Sequence, residues 1–254
     1  MNRTILKLIA VISMFIDHLA VALSLSGILG RDYRLLYRIM RDVGRMAFPI
    51  YGLMLVEGVL HTSNKWKYLL RMVVFALISE LPFDLALRGK MFVWNHQNVY
   101  FTLTLGLLIM FMIHWASRLP GWKKLPGLAL TGAFALGCAY LSGKVLHFDY
   151  GISGIVMLTV LGVLTMPLTE IRSWIPWENL VRCFFVAAAV ILMTPFTSNT
   201  EYFALFALIP IAFYNGVNGR ISGTAVKYAF YVFYPLHLLL LWLCFVLPAF
   251  GVQM

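Results

Sequence analysis

Charged side chains are scarce in this chain. Ten acidic and twenty basic residues among 254 make 12%, against 61% hydrophobic residues and a mean hydropathy of +0.85. A soluble domain carries about a quarter of its residues charged, so a water-soluble globular fold is excluded. Cysteine is nearly absent as well: Cys138, Cys183 and Cys244 sit in three different apolar runs, with no CxxC spacing and no histidine cluster beside them. Neither a disulfide framework nor a metal site is indicated. There is no GxGxxG or P-loop sequence, which excludes phosphate cradling of the soluble nucleotide-binding kind. Stretches long enough for a soluble domain and internal repeats are also missing.

What is present is a succession of apolar runs, each long enough to cross a hydrocarbon core of about 30 Å. Nine are expected as spans, over 4–25, 45–61, 67–86, 98–116, 127–143, 151–169, 179–196, 200–215 and 227–249. The expected fold is an all-α polytopic membrane protein, a bundle of about nine transmembrane helices forming one domain over 1–254. Arg3 and Lys7 flank the first run, but it lacks a small-residue cleavage site, so it reads as a retained span and not a signal peptide.

Orientation follows from the basic residues. Arg3, Lys7, Lys65, Lys67, Arg71, Arg118, Lys123, Lys124, Arg172, Arg182, Arg220 and Lys227 fall on one side. A preference for positive charge in the cytoplasm places that side, with the N-terminus, inside a bacterial plasma membrane. The first loop on the opposite side breaks the pattern. Arginines 31, 34, 38, 41 and 45 recur at three- and four-residue steps opposite Leu35, Ile39 and Met40, which predicts a basic amphipathic helix lying at the membrane surface among anionic headgroups. The net charge of +10 is spread over many short loops, a distribution that fits membrane topology and not nucleic-acid binding.

Several ionisable groups interrupt the apolar runs. Asp17-His18 lies deep in the first, Glu57 and Glu80 in the second and third, and His237 near the middle of the last, three residues after Tyr234 and so on the same helical face. Burying such groups in a bilayer costs at least about 2.5–3.5 kcal/mol each for a charge, so they mark polar cavities and function. A secondary transporter or proton-coupled permease would use the same residues as an ion path.

The order of motifs along nearly the whole chain resembles the TraX family of integral membrane acetyltransferases, whose namesake activity is N-terminal acetylation of conjugative pilin. The matching segments are Met14-Phe15-Ile16-Asp17-His18, then Gly44-Arg45-Met46-Ala47-Phe48-Pro49-Ile50-Tyr51, Glu57-Gly58 and Thr62, and Lys67-Tyr68-Leu69-Leu70-Arg71. They continue with Ile78-Ser79-Glu80-Leu81-Pro82-Phe83, Asn98-Val99-Tyr100-Phe101-Thr102-Leu103-Thr104-Leu105-Gly106, Asp149-Tyr150-Gly151-Ile152-Ser153-Gly154 and Tyr234-Pro235-Leu236-His237. Singly these are weak; in series they are specific.

The resemblance implies an enzyme that moves an acetyl or other acyl group from acyl-CoA to an amine or hydroxyl, with no metal. The acceptor stays open among a peptide (a peptide N-terminus included), a glycan and a small amine. Such a transfer needs a base near neutrality, and His18 leads, either as that base or as a tie between helices. His237 can share proton transfer, orient the acceptor or serve as a polar tie. Adjacent helical residues project about 100° apart, so Asp17 is expected to pair across the bundle with Arg45 and position the site. Glu57 and Glu80 either bind an amine or pair with a cation such as Arg71. Asn98 and Tyr234 join the expected substrate-binding set, and Arg71, Lys67 and Lys65 the clamps for CoA phosphates.

Overall fold

The computed structural model describes residues 1–166, 178–197, 199–217, 219 and 223–251. Arg172 and Arg220 of the charge tally lie outside the described residues. Within them the chain is helical, and the only strand-like feature is an isolated bridge between Gln97 and Phe148.

The helices are α1 Arg3–Leu25, α2 Arg34–Gly44, α3 Ala47–His61, α4 Lys65–Arg88, α5 Val99–Ser117, α6 Lys124–Tyr140, α7 Gly151–Thr165, α8 Glu178–Met193, α9 Leu208–Ala212, α10 Thr224–Leu241 and α11 Leu247–Gly251. Polar caps set several of the starts. Asn2 accepts from Ile5 N, Asn64 from Lys67 N and Asn98 from Tyr100 N, each satisfying a donor that the first turn leaves free. Gly89 ends α4 in the left-handed region at φ 65°, where a side chain would be strained.

The nine expected runs are helical over most of their described residues, 167–169 of the sixth lying outside those, but length and hydropathy qualify six helices for crossing a membrane: Arg3–Leu25, Arg31–His61 taken as one run, Val99–Ser117, Gly121–Val145, Glu178–Phe196 and Thr224–Ala249. The remaining three fall short for different reasons. The run in α4 carries Lys67, Arg71, Glu80 and Asp84. Gly151–Thr165 is 15 residues, about 22 Å at 1.5 Å per residue. The run at 200–215 is mostly a 3-10 helix, Asn199–Ala207, followed by the five residues of α9. The chain is a multi-pass helical membrane protein.

The central packing is α3, α5 and α7, around the fully buried Leu107, Ile109, Met110 and Leu158. A Cβ on Gly106 would meet the Leu158 side chain, so α5 and α7 approach through a missing side chain, as membrane helices commonly do. These three helices begin at one level inside the bundle. Phe48, at the start of α3, stacks on Tyr150 at a centroid distance of 3.8 Å, and both Phe48 and Thr102 crowd Gly154.

The basic helix after the first run is present as α2, but it does not simply lie on a surface. It packs against α1, and its last turn reaches the middle of that helix: Ser13 Oγ donates to Val43 O at 2.5 Å. Gly44 makes the approach possible, because the Asp17 side chain occupies the space its Cβ would need. Arg31, Arg34 and Arg38 stay exposed, whereas Arg41 and Arg45 turn inward. The helix breaks at Arg45-Met46 and resumes as α3, so α2 and α3 together make one broken traverse.

Candidate active site

His18 and His237 meet in the middle of the bundle. They are 7% and 2% exposed, their rings lie parallel with centroids 5.0 Å apart, and His18 Nδ1 is 2.7 Å from His237 Nε2. Neighbouring acceptors assign the tautomers of the neutral pair. His237 Nδ1 is 2.8 Å from the Phe233 carbonyl oxygen, which can only accept, so Nδ1 carries the proton. His237 Nε2 then accepts from His18 Nδ1–H, leaving the lone pair on His18 Nε2. A chain of two donated hydrogen bonds thus presents one basic nitrogen. Phe233 stacks on His237 at 4.7 Å and Phe15 meets it edge-on. Tyr234 stands edge-on to both imidazoles, with centroids at 5.8 and 5.6 Å.

Tyr234 also closes a cavity of about 590 Å³ that opens at the end of the bundle where α1 begins. Its deep end is formed by Met14, Val99, Tyr100 and Tyr234, and its mouth by Arg3, Lys7, His61, Arg71 and Lys227. Neither imidazole lines it; Tyr234 is the partition. The single carboxylate among the lining residues is Glu57. Arg3 Nε donates to Glu57 Oε2 at 2.8 Å, and Tyr214 Oη donates to the same oxygen at 2.6 Å. With Glu57 committed to Arg3, the mouth presents Lys7, Arg71 and Lys227 as an anion-attracting rim. The Arg71 guanidinium lies over the Tyr68 ring, 5.6 Å from its centroid.

The expected residues divide accordingly. His18, His237 and Tyr234 are brought together, and Arg71 lines the cavity below them. Lys65 and Lys67 do not line it: Lys65 Nζ sits over Phe111 and Lys67 is exposed on the first turn of α4, because the helix turns their face away from the mouth. Glu80 and Asn98 hold each other. Asn98 Nδ2 donates to Glu80 Oε2 at 2.5 Å and to Ala76 O at 2.8 Å, and Asn98 N also donates to Glu80, latching the start of α5 to the middle of α4.

The Asp17–Arg45 pairing is corrected. Arg41 Nη1 donates to Asp17 Oδ2 at 2.5 Å, because Arg41 is on the last turn of α2 that packs on α1. Arg45 lies beyond the break and reaches Glu201 Oε1 at 2.8 Å. The divergence of Asp17 and His18 is as expected: one faces α2, the other α10. Glu201, 3% exposed, escaped the sequence reading. Its signal was an acid inside an apolar run, the same signal that singled out Asp17. Lys7, Lys227 and Arg3 were visible only as counts in the charge tally, and nothing in their spacing foretold a common cavity.

A second cavity, of about 380 Å³, opens at the other end of the bundle. Asn95 and His96 line it while Val99 and Tyr100 line the first, so the segment 95–100 passes from one cavity to the other. Its opposite wall is 143–153, joined to that segment by Gln97 N donating to His147 O and Asp149 N donating to Gln97 O.

Fold and site together define a multi-pass helical membrane protein with a buried imidazole pair behind the closed end of a cavity. The chain belongs to the TraX family, whose model, described as TraX protein, matches residues 2–245. It is 32% identical over 257 residues to a protein of Dichelobacter nodosus described as "Probable fimbrial assembly protein FimC, serogroup H1", covering 93% of this chain and 92% of that one. No solved structure matches.

Proposed function

We propose that the protein is a membrane acyltransferase that takes an acetyl or other acyl group from acyl-CoA and passes it to an amine or hydroxyl. The observation that carries the reading is the imidazole pair behind the blind end of a cation-rimmed cavity. The cavity mouth faces the cytoplasm in this proposal, with α1 starting there and nine traverses in all. Phosphates of CoA bind at Lys7, Arg71 and Lys227, and the slender pantetheine arm runs past Tyr51, Tyr68 and Tyr231 to bring the thioester against Tyr234. No metal takes part in the step.

The chemistry then follows from the tautomers. The acceptor nucleophile gives its proton to His18 Nε2 as it attacks the thioester carbonyl. Tyr234 Oη donates to the carbonyl oxygen as charge develops there. The tetrahedral adduct collapses, the carbon–sulfur bond breaks, and the proton held by His18 passes to the leaving CoA sulfur. His237 keeps His18 in the productive tautomer and disperses its charge. Because the D. nodosus relative is described as a fimbrial assembly protein, the proposed acceptor is a pilus or fimbrial polypeptide. A transporter reading draws no comparable support: Asp17, Glu57, Glu80 and Glu201 are held by separate partners at separate levels and do not line one path. The test is purified protein in detergent with labelled acetyl-CoA. Saturable donor binding and label transfer to host membrane protein are expected, and failure to bind CoA at millimolar concentration ends the proposal.

A further inference from the structure

Helix α5 opens inside the bundle. Asn98 and Thr102 are fully buried, and Val99, Tyr100 and Leu103 line the cavity whose closed end Tyr234 forms. The first amides of a helix have no carbonyl within the helix to donate to, and their neighbours take all but one of those that open α5. Asn98 N donates to Glu80 Oε2 at 3.1 Å, Tyr100 N to Asn98 Oδ1 at 3.0 Å and Phe101 N to Asn98 O at 3.2 Å. Between them, the Val99 N–H completes no hydrogen bond among the described residues. A side-chain group at the same place is also left over. Tyr234 is 2% exposed, yet its Oη has no hydrogen-bond partner among the described residues. Its ring stands at 89° to that of Tyr100, with centroids 5.0 Å apart, and the Val99 N–H is turned toward its Oη without completing a bond to it. A buried group left unpaired is costly, so an amide at the positive end of a 19-residue helix and a phenol beside it, both facing one cavity, call for a ligand atom that accepts from both.

We infer that the Val99 N–H and the Tyr234 Oη–H together form the oxyanion hole of the acyl transfer, which makes the backbone of Val99 a catalytic group. The inference rests on the acyltransferase reading and adds to it a contact that no side chain supplies. As the nucleophile adds to the thioester carbon, the carbonyl π pair moves onto oxygen, and that oxygen accepts from the amide and the phenol together. On collapse the pair returns to the carbonyl, the carbon–sulfur bond breaks, and the leaving sulfur takes the proton held by His18. A ground-state thioester oxygen carries less charge, so the two contacts hold the transition state more tightly than the bound thioester. The placement agrees with the chemistry: Tyr234 is edge-on to His18, with centroids 5.8 Å apart, so one ring separates the base from the hole. Asn98 and Glu80 become positioning residues. By occupying the amides on either side of Val99, and by tying Asn98 Nδ2 to Ala76 O at 2.8 Å, they hold a single free N–H at the closed end.

The test removes one N–H. Proline lacks it and is favoured at the first helical position, and Asn98 already has the extended backbone that precedes a proline, at φ −64° and ψ 161°. Val99→Pro should therefore fold. A second variant carries the α-hydroxy acid of valine at position 99, which replaces the N–H by an ester oxygen and adds no bulk toward Tyr234. Val99→Ala is the control, since it trims the side chain and keeps the N–H. Full-length protein in detergent is given acetyl-CoA and host membrane fractions, and release of free CoA thiol is followed alongside melting temperature and calorimetric CoA affinity. Loss of one oxyanion contact costs about 10²- to 10³-fold in kcat. Val99→Pro, the hydroxy-acid variant and Tyr234→Phe should each show that loss, with KM for acetyl-CoA and CoA affinity within about twofold of the unaltered protein, whereas Val99→Ala should turn over normally. Normal kcat in folded Val99→Pro or in the hydroxy-acid variant, an equal loss in Val99→Ala, or a loss confined to KM each overturns the inference; if Val99→Pro does not fold, the hydroxy-acid variant decides. Absence of thiol release or of CoA binding in the unaltered protein would instead overturn the acyltransferase reading, so the two failures are distinguishable.

Discussion

Replacing His18 separates its two roles, base and tie. In His18→Ala the cavity lining is untouched, since His18 does not contribute to it, so donor affinity should stay within about twofold. Catalysis should fall by about 10²- to 10⁴-fold, the usual contribution of a positioned general base. The alanine also strips His237 Nε2 of its donor. A buried acceptor left unpaired costs about 1–3 kcal/mol, so the protein should also lose stability, and a dead but half-unfolded variant would prove little. His18→Asn resolves this. Its amide nitrogen can take the place of Nδ1, 2.7 Å from His237 Nε2, and restore the donated hydrogen bond, yet an amide is no base at neutral pH. The expected result is a protein with near-normal melting temperature and CoA affinity and an acyl-transfer rate as low as that of the alanine variant. The assay pairs thermal unfolding in detergent with release of free CoA thiol in the presence of host membrane fractions. Full turnover by folded His18→Asn would remove His18 from the chemistry.

Other outcomes follow from single contacts. Arg71→Ala should weaken CoA binding by about tenfold, the loss of one charge-assisted contact, whereas Lys67→Ala should not; titration calorimetry tells them apart. Arg41→Ala should cost on the order of 2 kcal/mol by leaving Asp17 without its partner, and adding Asp17→Asn should recover part of the loss, read as melting temperature and yield. Gly44→Ala should be destabilising despite alanine's better helix propensity, because the added methyl meets the Asp17 side chain. Single cysteines on a Cys-free background should be labelled from the cytoplasm at residue 2, and external labelling there would reverse the proposed orientation.

Much of the helical content was legible because an apolar run in a bilayer has almost no choice but to be helical. Depth was not legible. Nothing in Asn98 or Tyr150 says that α5 and α7 start inside the bundle; that follows from the Asn98 latch to Ala76 and Glu80 and from the stacking of Phe48 on Tyr150. The imidazole pair was half legible: His18 and His237 each stood out as costly in an apolar run, but their meeting depends on the angle at which α10, with Pro235 inside it, passes α1. Ion pairs were the least legible. Asp17 had five arginines within reach of a helix end, and one break after Gly44 decides which of them it receives.

The closed end of the first cavity also has an electrical consequence. Water filling it would carry the aqueous phase from the mouth to Tyr234, so the membrane potential at this point would drop across the part of the bilayer that lies beyond that ring. A full potential of 100 mV is worth about 2.3 kcal/mol per elementary charge. A proton exchanged with the far side of Tyr234 would feel its share of that energy, so turnover in energised membranes should depend on voltage in a way that detergent solution cannot reveal.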